Sequence, residues 1–288
     1  VAFTAPTLYP KMINALIKGH SKLLNRINSN FVVPGGSQAG AISVDVLSSI
    51  STADIVDGTM LTSGATNVLT ALTFVNKSAT VSLLPGQLKS LLKNADAMKA
   101  YLVSAADAIY QAAMNSIVAD EIAGTPGKQV TLTAGQIDFA TDGTDAEIRE
   151  NLGKIGELFG YMLANKTDAP LTDFYILTTA TGFGNLLSYT DQNVAGTGLR
   201  FNEAEGRLYF RGVPIYAVTG PAAWGGASQH ALIMCHKTAI ALKFEDVYMH
   251  GGGWIPASDG TTKAIFVGPY AHGVVIGDLM AEIMNPSS

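Results

Sequence analysis

Residues 87–123 read QLKSLLKNADAMKAYLVSAADAIYQAAMNSIVADEIA, with Pro85-Gly86 before them, Gly124 after them and neither glycine nor proline inside. Leu88, Leu91, Ala95, Met98, Leu102, Ala106, Ile109, Ala113 and Ile117 step by threes and fours, which places them on one stripe of an α-helix. Unbroken, that helix would be roughly 55 Å long at 1.5 Å per residue. A round protein of 288 residues would be only about 50 Å across, from a radius of gyration near ~19 Å. The stretch therefore predicts a flat, elongated fold built along one spine helix. The competing reading is two shorter helices broken near Asn94-Ala95-Asp96.

Upstream, residues 31–85 differ in kind: their only charges are Asp45, Asp54, Asp57 and Lys77. Ile42, Val44 and Val46 alternate with Ser43 and Asp45, and Leu72 and Phe74 alternate with Ala71 and Thr73, which is strand spacing. Asp57-Gly58 and Ser63-Gly64 between them are turn signals. The reading is a long two-stranded excursion. Such a hairpin is marginal alone in water and needs a surface to lie on, here expected to be a neighbouring subunit.

Residues 1–30 carry Lys11, Lys18, Lys22 and Arg26 and no acid. Met12, Ile13, Leu16, Ile17, Leu23, Leu24 and Ile27 have helical spacing, so 11–27 read as a short basic amphipathic arm weakened at Gly19. The arm is expected to dock its stripe on a neighbour, although packing on its own domain fits the same spacing. No aromatic anchors line the stripe, which argues against a membrane-surface helix.

Downstream, Gln129–Ala134 reads as a strand in a turn-rich region. Thr144 with Glu147 forms a capping-box signature ahead of a helix marked by Ile148, Leu152, Ile155, Phe159 and Met162. A strand at Phe174–Thr178 and a short helix at Phe183–Tyr189 follow, then a polar loop at Asp191–Glu205. Strands are expected at Leu208–Phe210, Val213–Val218, Ala231–Cys235 and Ala239–Phe244, the last also readable as helix. Ala264–Val267 and Gly273–Ile276, on to Met284, read as a closing β-hairpin.

Charged residues make up 14% of the chain and net charge is −5, against about 25% charged in an average soluble domain. Mean hydropathy is +0.25, yet no apolar run approaches the ~20 residues that a bilayer span needs. Such a chain must hide surface elsewhere, and burial against copies of itself is the simplest route, since obligate interfaces resemble a divided core. The negative balance argues against general nucleic-acid coating. The N-terminus, Val-Ala-Phe-Thr-Ala-Pro, lacks the basic and apolar regions of a secretory signal. Its first residue, Val1, reflects either removal of an initiator Met or cleavage of a longer leader.

The chemical motifs are weak. Gly182-Phe183-Gly184 sits between a strand and a helix, but the third glycine of a dinucleotide fingerprint falls at Leu187 and no Lys-Ser/Thr pair follows. His230, Cys235 and His236 are near in sequence. On a strand, however, 235 and 236 face opposite ways, and a buried thiol beside a surface imidazole is the better reading. His20, His250 and His272 are isolated, and Gly251-Gly252-Gly253-Trp254 reads as a tight loop. Cys235 is the only cysteine, which excludes a disulfide framework. No catalytic, cofactor-binding or metal-ligating residue is assigned, no cofactor is expected, and the chain is not read as an enzyme.

The order of basic arm, low-charge hairpin, long helix, α/β segment and terminal strands resembles the major capsid proteins of tailed bacteriophages, the Hong Kong 97 fold. Three strings add to it: Gly206-Arg-Leu-Tyr-Phe-Arg-Gly-Val-Pro-Ile-Tyr-Ala-Val218, Asp173-Phe-Tyr-Ile-Leu-Thr178, and Val267-Gly-Pro-Tyr-Ala-His-Gly-Val-Val-Ile-Gly277. The resemblance implies an α+β fold with an N-terminal arm at 1–30 and an extended loop at 31–85. It also implies a peripheral domain from 86–139 and 237–288 and an axial α/β domain at 140–236. It implies a virion protein, assembled in the host bacterial cytoplasm into hexamers and pentamers of an icosahedral shell. That shell would enclose double-stranded DNA without sequence-specific contacts and without a membrane. Partners would be further copies, a portal, a scaffold, and a decoration protein or maturation protease. Some family members crosslink through a Lys in the extended loop; Lys77, the only lysine there, sits near the base of the loop, and no crosslinking role is assigned to it. The alternatives are a soluble α/β enzyme with a lid hairpin, or another virion component such as a tail-tube protein.

Overall fold

In the computed structural model, residues 87–123 do not form one helix. Helix α2 (Pro85–Leu91) and helix α3 (Ala95–Ala123) are separated by a turn at Leu92–Asn94. The break has a side-chain cause. Asn94 Oδ1 accepts a hydrogen bond from the Ala97 amide at 3.1 Å, and Asp96 occupies the first turn of α3, where the helix dipole favours a carboxylate. The unbroken spine is thereby corrected to 29 residues, about 43 Å. The structure describes residues 5–20, 23, 26–27, 41–49, 66–123, 126–131, 145–165, 169–191, 198–220 and 230–284.

The remaining helices are α1 (Ala5–His20), α4 (Asp145–Asn165) and α5 (Ala180–Asp191). One sheet contains β1 (Ala41–Ser49), β2 (Thr66–Leu83), β9 (Ile240–Phe244), β10 (Tyr248–Met249), β11 (Ile255–Pro256) and β12 (Thr262–Val274). In it, β12 pairs with β2, β9, β10 and β11, and among the described residues β1 pairs with β2 alone. A second sheet runs β3-β13-β8-β4-β7-β6-β5. Its strands are Lys128–Thr131, Met280–Met284, His230–His236, Phe174–Thr178, Val213–Ala217, Arg207–Phe210 and Leu199–Asn202 in that order. β4 and β8 lie inside this sheet and are apolar almost throughout, as strands covered on both faces must be.

The stripe on α3 serves two cores. Met98, Leu102, Ala106 and Ile109 pack with Val81, Leu83 and Phe266 of the first sheet, whereas Ala113, Met114, Ile117 and Val118 join Ile155 and Met162 of α4 and the second sheet. Tyr9, Ile13 and Ile17 of α1 complete the first of these cores. This corrects the docking expected of the arm: its stripe packs on its own spine. The helix also begins earlier than the spacing indicated and ends at His20; Leu23 and Ile27, both buried, follow in a turn closed by the Ile27 amide on the Leu23 carbonyl at 3.1 Å.

The expected closing hairpin is also corrected. β12 runs straight through Gly268-Pro269, with Gly268 opposite Lys77 and Pro269 opposite Asn76. Gly268 is there for close approach, not for a turn: a Cβ at this position would lie 2.6 Å from Ile109 Cγ2. One strand step further, Tyr270, fully buried, places its hydroxyl 2.8 Å from Ser116 Oγ and donates to the Ala112 carbonyl at 3.2 Å. After a turn the chain crosses to the second sheet as β13, antiparallel to β8 and parallel to β3. β3 and β13, read from sequence with segments 86–139 and 237–288, thus hydrogen-bond into the sheet of 174–217. The polar loop expected at 191–205 contains β5, because Leu199 and Phe201 alternate onto the core. Residues 239–244 are strand, not helix. Thr144 and the turns at 57–58 and 63–64 lie outside the described residues.

Gly268→Ala should destabilise the fold by roughly 1–3 kcal/mol, because a β-branched side chain on a helix has little freedom to retreat. In Ile109→Ala the same substitution should cost measurably less, read as a coupling in a denaturant double-mutant cycle. Additive effects would mean that the close approach does not constrain the fold.

Candidate assembly surfaces

Among the described residues, β2 beyond Phe74 leaves β12 and continues to Thr66 paired with β1 alone, in register from Ala41↔Thr73 to Ser49↔Thr66. The base of this hairpin is fixed by Leu72, which is buried with Ala241 and Ala271. Gly273 makes room for it, since a Cβ there would lie 2.7 Å from Leu72 Cδ2. Lys77 is exposed and lies on the sheet side of that anchor, as the sequence indicated. A second exposed surface surrounds the break between α2 and α3, where Leu84, Leu92 and Tyr101 remain 54%, 46% and 40% exposed.

The residues weighed for chemistry are dispersed. Gly182 and Gly184 fall in the first turns of α5, where the Gly182 amide donates to Thr179 Oγ1 at 2.9 Å, so the N-terminus of the helix is capped from within. Cys235 is buried, and His236 is buried too, a correction to the surface imidazole expected there. Both faces of β8 are covered, so alternation along it does not reach solvent. His236 Nδ1 accepts from the Thr238 amide at 3.3 Å, and its ring meets Phe174 edge-on at 5.1 Å. Asp173 lies 3.9 Å from His236 Nε2 and pairs with Lys237 at 2.7 Å, bracing the end of β8 against the start of β4. Gly251 and Gly252 take positive φ in the tight loop expected before Trp254. Among the described residues, no three His, Cys, Asp or Glu side chains are grouped to hold a metal, and no helix is long and apolar enough to cross a membrane.

Four polar contacts were missed. Arg26 donates to the Thr172 carbonyl, so the last cation of the arm is spent on its own chain. Glu282, almost fully buried on β13, sits 2.5 Å from His230 Nδ1 and accepts from Gln129 Nε2 at 2.5 Å. These residues come from three adjacent strands and tie β3, β13 and β8 together. A sequence signal existed: Glu282 is a lone acid in the apolar run Leu279–Met284, and a buried carboxylate requires partners. On the other side of that sheet, Arg207 stacks over Tyr216 at 4.9 Å and donates to its hydroxyl at 3.3 Å. Burial raises the Tyr216 pKa, with Arg207 and Arg26 opposing the shift.

No protein-family model and no curated protein matches the sequence. Solved structures match over nearly the whole chain. The capsid of cyanophage P-SCSP1u is 16% identical with a TM-score of 0.54, covering 89% of this chain and 86% of that one. The mature capsid of bacteriophage PhiM1 is 13% identical with a TM-score of 0.53, over 90% and 89%. A virus-like particle from Pyrococcus furiosus is 10% identical with a TM-score of 0.57, over 95% and 96%. The fold is thus that of shell-forming capsid subunits, the Hong Kong 97 type that the element order implied.

Glu282→Leu should destabilise the subunit by roughly 1–3 kcal/mol in chemical denaturation, since it leaves the largely buried His230 without its acceptor. Glu282→Gln, whose amide oxygen still accepts, should cost clearly less. Equal effects would mean that the contacts to Glu282 do not hold the three strands.

Proposed function

We propose that this chain is the major capsid protein of a tailed bacteriophage, a structural protein and not an enzyme. It assembles through hexamers and pentamers into an icosahedral shell around double-stranded DNA. The observation that carries this reading is the match to capsid subunits along nearly the full length of both chains. The hairpin adds support: among the described residues, β1 and the distal half of β2 have no neighbour in the sheet except each other, and a two-stranded ribbon of this kind is marginal in water unless something covers it.

In this reading residues 1–30 are the arm and 31–85 the extended loop. Residues 86–139 and 237–288 build the peripheral domain, and 140–236 form the axial domain at the centre of each capsomer. The axial sheet then borrows β3 and β13 from the flanking segments. Partners are further copies, a portal, a scaffold, and a decoration protein or maturation protease. DNA is enclosed without sequence-specific binding, and assembly takes place in the host bacterial cytoplasm.

Deleting residues 45–70 should leave a folded subunit, because Leu72 and the β2–β12 ladder remain, with a melting transition near that of the full chain. Assembly, followed by light scattering, should be lost. Closed shells from the truncated chain would show that the hairpin is not a clamp between subunits, and a chain that fails to fold would place the hairpin in the core.

A further inference from the structure

The last three strands of the seven-stranded sheet have two unlike faces. Leu199 and Phe201 of β5, Leu208 and Phe210 of β6, and Val213 and Ile215 of β7 belong to the core. The residues between them point the other way. Arg200 lies opposite Tyr209, Tyr209 opposite Pro214, and Asn202 opposite Arg207. Tyr216, two residues beyond Pro214, falls on this second face too, and Arg207 donates to its hydroxyl at 3.3 Å. Arg200 is exposed, and Arg207, Tyr209 and Tyr216 are half-buried. Arg200 and Arg207 occupy diagonal positions on neighbouring strands, about 7–8 Å apart.

A third guanidinium arrives from the other end of the chain. Arg26, in the turn that follows α1, is anchored on the Thr172 carbonyl and also meets the Tyr216 hydroxyl. Two like charges thus converge on one neutral phenol. The turn from β5 to β6 brings two carboxylates, Glu203 and Glu205, and Glu205 already accepts from the Tyr209 hydroxyl. The balance of the face is positive on a chain whose net charge is −5. Crowded guanidiniums repel one another unless an anion lies between them. Their planar forks match phosphate oxygens, and arginine interleaved with aromatic rings on an open sheet face suits a nucleic-acid backbone. An acidic patch on a second copy fits the charge less well. Among the described residues, no three His, Cys, Asp or Glu side chains are grouped to hold a metal, so a copy presents no compact acidic cluster there.

We infer that the outer face of β5, β6 and β7, through Arg26, Arg200 and Arg207, contacts the phosphate backbone of the enclosed duplex DNA. This rests on the shell reading, which supplies the DNA, and it names the surface that meets it. The contact reads no bases. With three cations on an otherwise acidic subunit it tethers the duplex locally and does not coat it.

The test is the binding of a fluorescein-labelled duplex to the full chain, followed by anisotropy from ~50 to ~200 mM salt. Arg200→Gln/Arg207→Gln should lower affinity at least about tenfold at ~0.1 M salt and flatten the slope of log K against log salt by about two. Lys89→Gln/Lys93→Gln, which removes two exposed charges beside α2, should leave both unchanged. Arg207→Lys keeps the charge and should keep the slope. If the double variant loses the wild-type circular dichroism, Arg200→Gln alone decides, with a slope lower by about one. A wild-type chain without salt-dependent binding would overturn the inference, and so would arginine variants that behave like the lysine control. Loss of DNA-free assembly in Arg200→Gln/Arg207→Gln with DNA affinity intact would assign the face to a second copy and also overturn it. A wild-type chain that forms no particles yet loses slope as expected would sink the shell reading and leave the phosphate contact standing.

Discussion

Helix α3 lies against two sheets at once, and the rest of the fold is arranged around that double contact. Its first half shares a core with α1 and the β2–β12 ladder, and its second half shares another with α4 and the seven-stranded sheet. Where the two regions meet, β12 presses on the helix closely enough to require Gly268 against Ile109, and Tyr270 locks the approach through Ser116 and the Ala112 carbonyl. The chain then crosses directly into β13 and enters the other sheet. A single helix of about 43 Å and one continuous strand therefore bind both cores into one subunit.

Apolar surface that the two cores of a weakly charged chain leave exposed can be shared with another copy. The hairpin, the outer face of α1 and the apolar surface around Leu84, Leu92 and Tyr101 are the places where sharing is available. A low fraction of charged residues suits such sharing.

The helical stripe from Leu88 to Ile117 was legible because its period is long and regular, and the hairpin strands because their alternation is clean. Three features were not legible, each for a definable reason. Gly268-Pro269 looks like a turn locally, and only the Ile109 side chain on a distant helix explains why the strand passes through it. The stripe on α1 declares an apolar face without saying whose core it enters. β5 contributes only Leu199 and Phe201 to the interior, too short a pattern to stand out from the polar residues around it. The break at Asn94 was visible as an alternative, but stripe continuity across it outweighed the capping residue. Among the exposed surfaces, the composition of the hairpin was readable in advance, whereas the arginine-bearing face of β5, β6 and β7 was not, because only strand register brings Arg200 and Arg207 together on it.

The central claim is that this subunit exists to be repeated. The most direct measurement is the size of the purified wild-type chain by light scattering and negative-stain microscopy in the absence of DNA. Closed shells or discrete capsomers of five and six copies are expected. A monodisperse monomer or dimer that stays so across concentration and salt would contradict the account.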